Sequence, residues 1–221
     1  ARVHPNEHVN MGQSTNDVYP TATRLAILFV MRDLLISARD LSKALQLKSR
    51  EFRNIVKTGR THLQDAVPIT LGQEFGGYAA NVLHAAVELE RTAEQLHELN
   101  LGATAVGTGL NAGDDYTRAA IGNLRRYTKL PVRAATNRFR VTQSMGDVLA
   151  YSGALRRLSV EVGKVASDLR LLSMGPRAGI AEIDELSQTL RQTQQELQAR
   201  FEALQHERAE SEALVNAMVE G

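Results

Sequence analysis

An all-α fold, an elongated bundle of long helices expected to oligomerise and to end in a coiled-coil-like C-terminal helix, is predicted by three observations. Apolar residues recur at helical spacing through three runs of roughly thirty residues or more, each spanning about 45 Å at 1.5 Å per residue. Aromatic residues make up only 5% of the 221-residue chain and tryptophan is absent, while Ala, Leu, Glu, Arg and Gln are abundant. That composition favours helix over sheet. Helix breakers cluster between the runs.

The elements follow in order. Residues 1–19 read as loop, punctuated by Pro5, Asn6, Asn10, Gly12 and Asn16. From about Pro20 the spacing of Ala22, Leu25, Ala26, Phe29, Val30, Leu34, Leu41 and Leu45 predicts a helix, broken at most once, to about Lys57, ended by Gly59. Residues 59–69 read as a second loop, stopped by Pro68. From Thr70 to about Leu99, Leu71, Phe75, Tyr78, Val82, Ala86, Leu89, Ala93 and Leu96 form one apolar helical face. A glycine-rich loop at 100–113 and a short helix at about 114–128 come next. A long helix from about Arg138 to Met174 ends at Gly175-Pro176.

Residues 182–219 hold no Pro or Gly and are rich in Gln and Glu. With Ile183, Leu190, Leu197 and Leu204 at a positions and a weaker d seam, they read as a coiled-coil-like helix. The shift in composition divides the chain into a helical region, 1–183, and that helix, 184–221.

Several function classes are disfavoured. Net charge is +1 with signs interspersed, so no nucleic-acid footprint stands out. Cysteine is absent, which excludes disulfides and thiolate metal sites. No apolar run approaches the ~20 residues that span a bilayer, and no secretory signal opens the sequence. A cytoplasmic protein without membrane or nucleic-acid partners is expected. His4 and His8 are four apart but lie in a Pro- and Asn-containing loop, so no metal site is expected. The glycine-rich loop lacks the GxxxxGK[ST] spacing of a nucleotide P-loop, and no cofactor is expected.

The polar loops carry the chemistry. In "QSTND", residues 13–17, Ser14 and Asp17 have capping-box spacing. The same hydroxyls and amides at a helix N-terminus are suited to hold a carboxylate, aided by free N–H groups and the helix dipole. In "TGRTHLQDAVP", residues 58–68, Thr61 and His62 are flanked by Arg60, Gln64 and Asp65. Histidine suits proton traffic near neutral pH. In "NLGATAVGTGLNAG", residues 100–113, four glycines accompany Thr104, Thr108 and Asn111. This is either a tight helix connection or a set of backbone N–H groups lining an anion pocket.

Three segments in order, "VHPNEHVNMGQSTNDVYPTA", "TGRTHLQDAVPITLGQEF" and "NLGATAVGTGLNAG", resemble the aspartase/fumarase superfamily of lyases over roughly residues 1–183. The second and third lean toward aspartate ammonia-lyase, and "HPNEHVN" toward class II fumarase. The resemblance implies a central bundle of long helices shared by four subunits, with active sites built from several chains. It implies reversible anti-elimination of ammonia or water from a dicarboxylate, L-aspartate or L-malate, giving fumarate. By position, Ser14, Thr15 and Asn16 would contact a substrate carboxylate or the leaving group. Thr61 and His62 would hold the carboxylate that gains charge, and are the catalytic candidates. His4, Asn6 and Glu7 would match a secondary anion site.

The sequence also departs from that pattern. The family's N-terminal substrate motif does not precede Ala1, and its mobile GSS…MPxKxNP loop, which bears the serine base, does not occur. After Ile183 the Gln/Glu-rich helix stands in its place, and its end, "ALVNAMVEG", faintly resembles the lead-in to a PAS sensor domain. A fragment unable to turn over substrate by itself is expected. The alternative is a non-catalytic sensory or oligomerisation module on a lyase scaffold.

Overall fold

The computed structural model describes residues 3–174. The chain divides into two compact units, Ala1–Val165 and Ala166–Gly221. The expected boundary near residue 183 and the coiled-coil-like helix lie outside the described residues.

Among the described residues the fold is predominantly helical, with two small sheets that the helical periodicity does not predict. After a single π turn at Pro5–Val9 come α1 (Thr15–Glu51), a hairpin of β1 (Val56–Thr61) and β2 (Gln64–Thr70), and α2 (Leu71–Ala93). A 3-10 turn at Glu94–His97 leads to the short β3 (Glu98–Leu99). Then follow α3 (Asp114–Thr128), β4 (Arg133–Ala134), α4 (Arg138–Gln143) and α5 (Gly146–Leu172).

Helix α1 begins earlier than expected, at the Ser14 cap instead of Pro20. Pro20 lies inside the helix, where it cannot donate to the Asn16 carbonyl four residues back. The Asn100 side-chain amide donates to that carbonyl instead, at 2.9 Å. The helix therefore runs through the proline with its backbone acceptor satisfied.

Helices α1 and α2 form the core pair. The Ser42 hydroxyl donates to the Ala79 carbonyl at 2.8 Å and the Ser49 hydroxyl to the Gly72 carbonyl at 2.7 Å, so the two run antiparallel. Gly72 permits the close approach, since a Cβ there would sit 2.4 Å from the Ser49 carbonyl oxygen. Phe52, Phe75 and Tyr78 stack edge to face at the junction, with ring centroids 5.2 and 5.7 Å apart. Val82, Ala85, Ala86 and Leu89 are wholly buried along α2. Each large apolar side chain so buried contributes about 1.5–3 kcal/mol.

Two further readings are corrected. Residues 59–69, read as loop, are mostly hairpin: Val56 pairs with Thr70 and Thr61 with Gln64. Gly59 faces a bulge where the strands shift register, and a Cβ there would meet the Val67 carbonyl at 2.8 Å. Pro68 is accommodated because both strands of a two-stranded sheet are edges. The helix expected from Arg138 is interrupted at Ser144, which is extended. The Ser144 hydroxyl accepts the Gly146 N–H at 3.1 Å and restarts the chain as α5.

Candidate functional site

The amino end of α1 is built by its own cap. The Asn16 N–H donates to the Ser14 hydroxyl at 3.2 Å, and the Ser14 N–H donates to Asp17 Oδ1 at 2.9 Å. Thr15 and Asn16 stand exposed on the first turn, while Asp17 is wholly buried beneath them. Asn16 is oriented by its amide, which donates to the Ala105 carbonyl at 2.8 Å. The cap reading of residues 13–17 holds, and it leaves hydroxyl and amide groups facing solvent at a dipole-positive helix end.

The glycine-rich loop wraps this end. Gly102 and Thr104 donate their backbone N–H groups to Asp17 Oδ2 at 3.1 and 3.0 Å. The anion that those two N–H groups hold is thus the chain's own carboxylate. Thr104 adopts φ +57°, costly for a β-branched residue, and its N–H reaches Asp17 from that conformation. Gly102 has φ +86° and its Cα packs on Thr117, so no side chain fits there. Tyr116 flanks the loop. Burial and then the Asp17 carboxylate hold its phenol above the ordinary tyrosine range, opposed by a hydrogen bond with Gln13.

A buried polar network beneath the cap was not anticipated. Arg24, wholly buried, donates through Nε and Nη2 to the two oxygens of Asp147, at 2.7 and 3.2 Å. Asn100 Oδ1 accepts from Thr21 Oγ1 and Arg24 Nη1, each at 3.5 Å. The network joins α1, the glycine-rich loop and α5. A signal existed in the sequence: the buried stripe Leu28, Leu35, Ala38, Leu45 extends backward at helical spacing through Arg24, Thr21 and Asp17.

Thr61 and His62 occupy the tip of the hairpin and are exposed. His62 and Leu63 form its two-residue turn, with φ +50° and +59°. Both central residues left-handed is the turn usually made by Asn-Gly. A His-Leu pair there stores backbone strain, a feature found at functional sites. Across the hairpin, Arg60 Nε lies 3.2 Å from Asp65 Oδ1.

His4, Asn6 and Glu7 share the π turn before the cap, and all are exposed. His4 Nδ1 accepts the Glu7 N–H at 3.2 Å, and His8 Nδ1 accepts the His4 N–H at 2.9 Å. Asn6 Oδ1 accepts from the Asn10 amide at 3.4 Å. Gln13 ties the turn to the cap by donating to the Val9 carbonyl at 2.8 Å. No group of three His, Cys, Asp or Glu side chains suited to a metal occurs among the described residues. Nor is any helix there long and apolar enough to cross a membrane.

The structure does not bring all these residues together in one copy. Ser14 caps one end of α1, and the hairpin follows the other end, 37 helical residues later. That helix is about 55 Å long, so even a hairpin folded straight back would leave its tip about 30 Å away.

Known proteins share this arrangement of sequence. A family model described as lyase matches residues 1–190. Aspartate ammonia-lyase of Escherichia coli is 45% identical over 182 residues, which cover 82% of this chain and 38% of that enzyme. Class II fumarate hydratase of Nitrosomonas europaea is 46% identical over 183 residues, covering 82% and 40%. A crystal structure of fumarate lyase:delta crystallin from Brucella melitensis bound to cobalt matches with TM-score 0.75 and 47% identity, over 80% of this chain and 38% of that one. The chain spans about two fifths of the length of these relatives.

Proposed function

The chain belongs to the lyase family, within the aspartase/fumarase superfamily, and from that premise we propose that its residues serve the reversible anti-elimination of ammonia or water from L-aspartate or L-malate to give fumarate. In that reaction a base removes a proton from the carbon beside a carboxylate. The freed electron pair becomes the C=C bond, and the C–N bond of the ammonium group breaks with its pair leaving on ammonia, or the C–O bond breaks with its pair leaving on the hydroxyl, which takes up a proton and departs as water. Negative charge builds on the neighbouring carboxylate, so preorganised donors around it supply the largest catalytic effect.

Ser14, Thr15 and Asn16 hold one carboxylate or the leaving group in this reading. Thr61 and His62 hold the carboxylate that gains charge, and His4, Asn6 and Glu7 form a secondary anion site. The observation that carries the reading is the polarity of the α1 end. Thr15 and Asn16 are exposed there, whereas the Asp17 carboxylate beside them is buried and engaged by three backbone N–H groups. The site therefore offers donors to an incoming dianion. The GSS-type loop that would carry the base does not occur in the 221 residues, so the chain by itself binds the dicarboxylate without turning it over.

A complete site then draws on more than one copy, the α1 end of one meeting the hairpin tip of another in a homotetramer. Exposed apolar side chains support such assembly: Phe29, Val30 and Ile36 on α1, Val87 on α2, and Leu149 and Val160 on α5.

The test is calorimetric titration of the purified chain with fumarate, alongside ultraviolet assay of fumarate formation from aspartate and malate. Fumarate binding without turnover is expected. Thr15→Ala and His62→Ala each abolish binding, and mixing the two variants after partial unfolding restores part of it. Binding unchanged in both single variants would sink the assignment. Loss without recovery on mixing would sink the composite site.

A further inference from the structure

Helix α3 and the segment returning from it form an open cleft of about 470 Å³ that the proposed reaction does not use. One wall is a single face of α3, on which Asp114, Arg118, Ile121 and Arg125 succeed one another at helical spacing. The other wall carries Arg133 of β4 and Arg138, the first residue of α4. Four guanidinium groups and one carboxylate thus line one concave site, in a chain whose net charge is only +1.

The anionic partners present are shared out thinly. Arg138 lies 3.2 Å from Asp114. Arg118 pairs with Asp115, outside the cavity lining. Arg133 lies 3.6 Å from Glu98, a carboxylate that also pairs with Arg140. The Arg125 side chain makes no ion pair or hydrogen bond among the described residues. Like charges gathered in a concave site repel one another and focus a positive potential there. A multivalent anion would reverse the sign of that interaction.

The shape and chemistry narrow the ligand. Guanidinium forks arriving from both walls match tetrahedral oxyanion oxygens, which accept bidentate pairs from several directions. Ile121 supplies an apolar floor, and nothing lies within 4 Å of where a Cβ would stand on Gly122, so an organic body has room beside the charged end. The volume falls within the roughly 300–1,000 Å³ of small-molecule sites. We propose that this cleft binds a small organic phosphate, with the phosphoryl group held between Arg125 and Arg133 and the organic body lying over Ile121.

The experiment is calorimetric titration of the full chain with phenyl phosphate, with fumarate as the carboxylate control. Arg125→Gln breaks no ion pair among the described residues, and thermal unfolding by circular dichroism checks that the variant is folded. Arg125→Gln is expected to weaken phenyl phosphate binding about tenfold or more, the effect of losing one charged hydrogen-bond donor. Raising salt weakens parental binding in the same direction, and fumarate binding is untouched by the substitution. Absence of saturable phenyl phosphate binding overturns the proposal. So does an affinity unchanged in both Arg125→Gln and Arg133→Gln. If Arg125→Gln weakens fumarate as much as phenyl phosphate, the cleft is a general carboxylate site and the phosphate assignment fails.

Discussion

Asp17 and Thr104 are 87 positions apart in the chain, and the carboxylate of the first accepts the backbone N–H of the second at 3.0 Å. That bond, with its companion from Gly102, fixes the glycine-rich loop against the first turn of α1. It also explains two local costs, a buried carboxylate and a threonine at positive φ, since each makes the other tolerable. The exposed donors Thr15 and Asn16 stand on the turn so braced.

Asp17→Ala removes the acceptor from three N–H groups at once. Each buried donor left unpaired costs about 1–3 kcal/mol. A loss of about 3–5 kcal/mol is expected, read from the urea midpoint. Asp17→Asn should fall between parent and alanine variant, because its amide turns a donor toward donors. A midpoint unmoved in Asp17→Ala would show that the loop is held by other means.

Arg24 and Asp147 form a bidentate pair from which solvent is excluded. Removing one partner strands a buried charge, so Arg24→Met should cost about 3–5 kcal/mol. The double substitution Arg24→Met with Asp147→Leu should recover most of that, since a fitted apolar pair often equals a buried ion pair. A double-mutant cycle on urea unfolding measures the coupling, and strictly additive losses would argue against it.

His62 carries strain and proposed function together. His62→Gly relieves the positive φ and removes the imidazole, so stability should hold or rise by about 0.4–1 kcal/mol relative to His62→Ala. Fumarate binding should vanish in both. Retained binding in His62→Gly would shift the role to the Thr61 hydroxyl.

The raised phenol of Tyr116 has a consequence at high pH. Burial comes first among its causes and the Asp17 charge second, so the folded state favours the protonated ring. Its contribution to stability is complete below the ordinary tyrosine range near pH 10 and is lost as pH climbs through the higher folded value. Tyr116→Phe should therefore flatten the alkaline limb of the stability curve, measured by urea unfolding from about pH 8 to 11. An identical limb in parent and variant would assign that loss to other groups, of which the buried Tyr151, also shifted upward by burial, is the first to examine.

Local signals explain what could be read ahead. The Ser14–Asp17 capping box, the apolar stripe of α2 and the limits of α3 all follow from spacings of three to four residues. Where two local signals conflicted, as at Pro20 and Ser14, only a distant group decided the outcome. The Asn100 amide removes the cost of the proline. The hairpin was harder to see because its turn is His62-Leu63 and lacks the glycine or asparagine that marks such turns. Its β-branched run of Val56, Thr58, Thr61, Val67, Ile69 and Thr70 was the available signal. The break before α5 was likewise written as Ser144-Met145-Gly146-Asp147, a capping spacing inside an apolar period.

The sequence by itself determined the helical class, the Ser14–Asp17 cap, the apolar stripe of α2 and the limits of α3, because those rest on contacts between near neighbours. Tertiary structure alone decided that the glycine-rich loop binds Asp17, that Arg24 faces Asp147 from 123 positions away, and that the cap and hairpin donors sit at opposite ends of one helix. The physical reason is that a buried polar group is stable only once its partner is in place. That partner is chosen by how the helices pack, and neighbouring residues do not encode it.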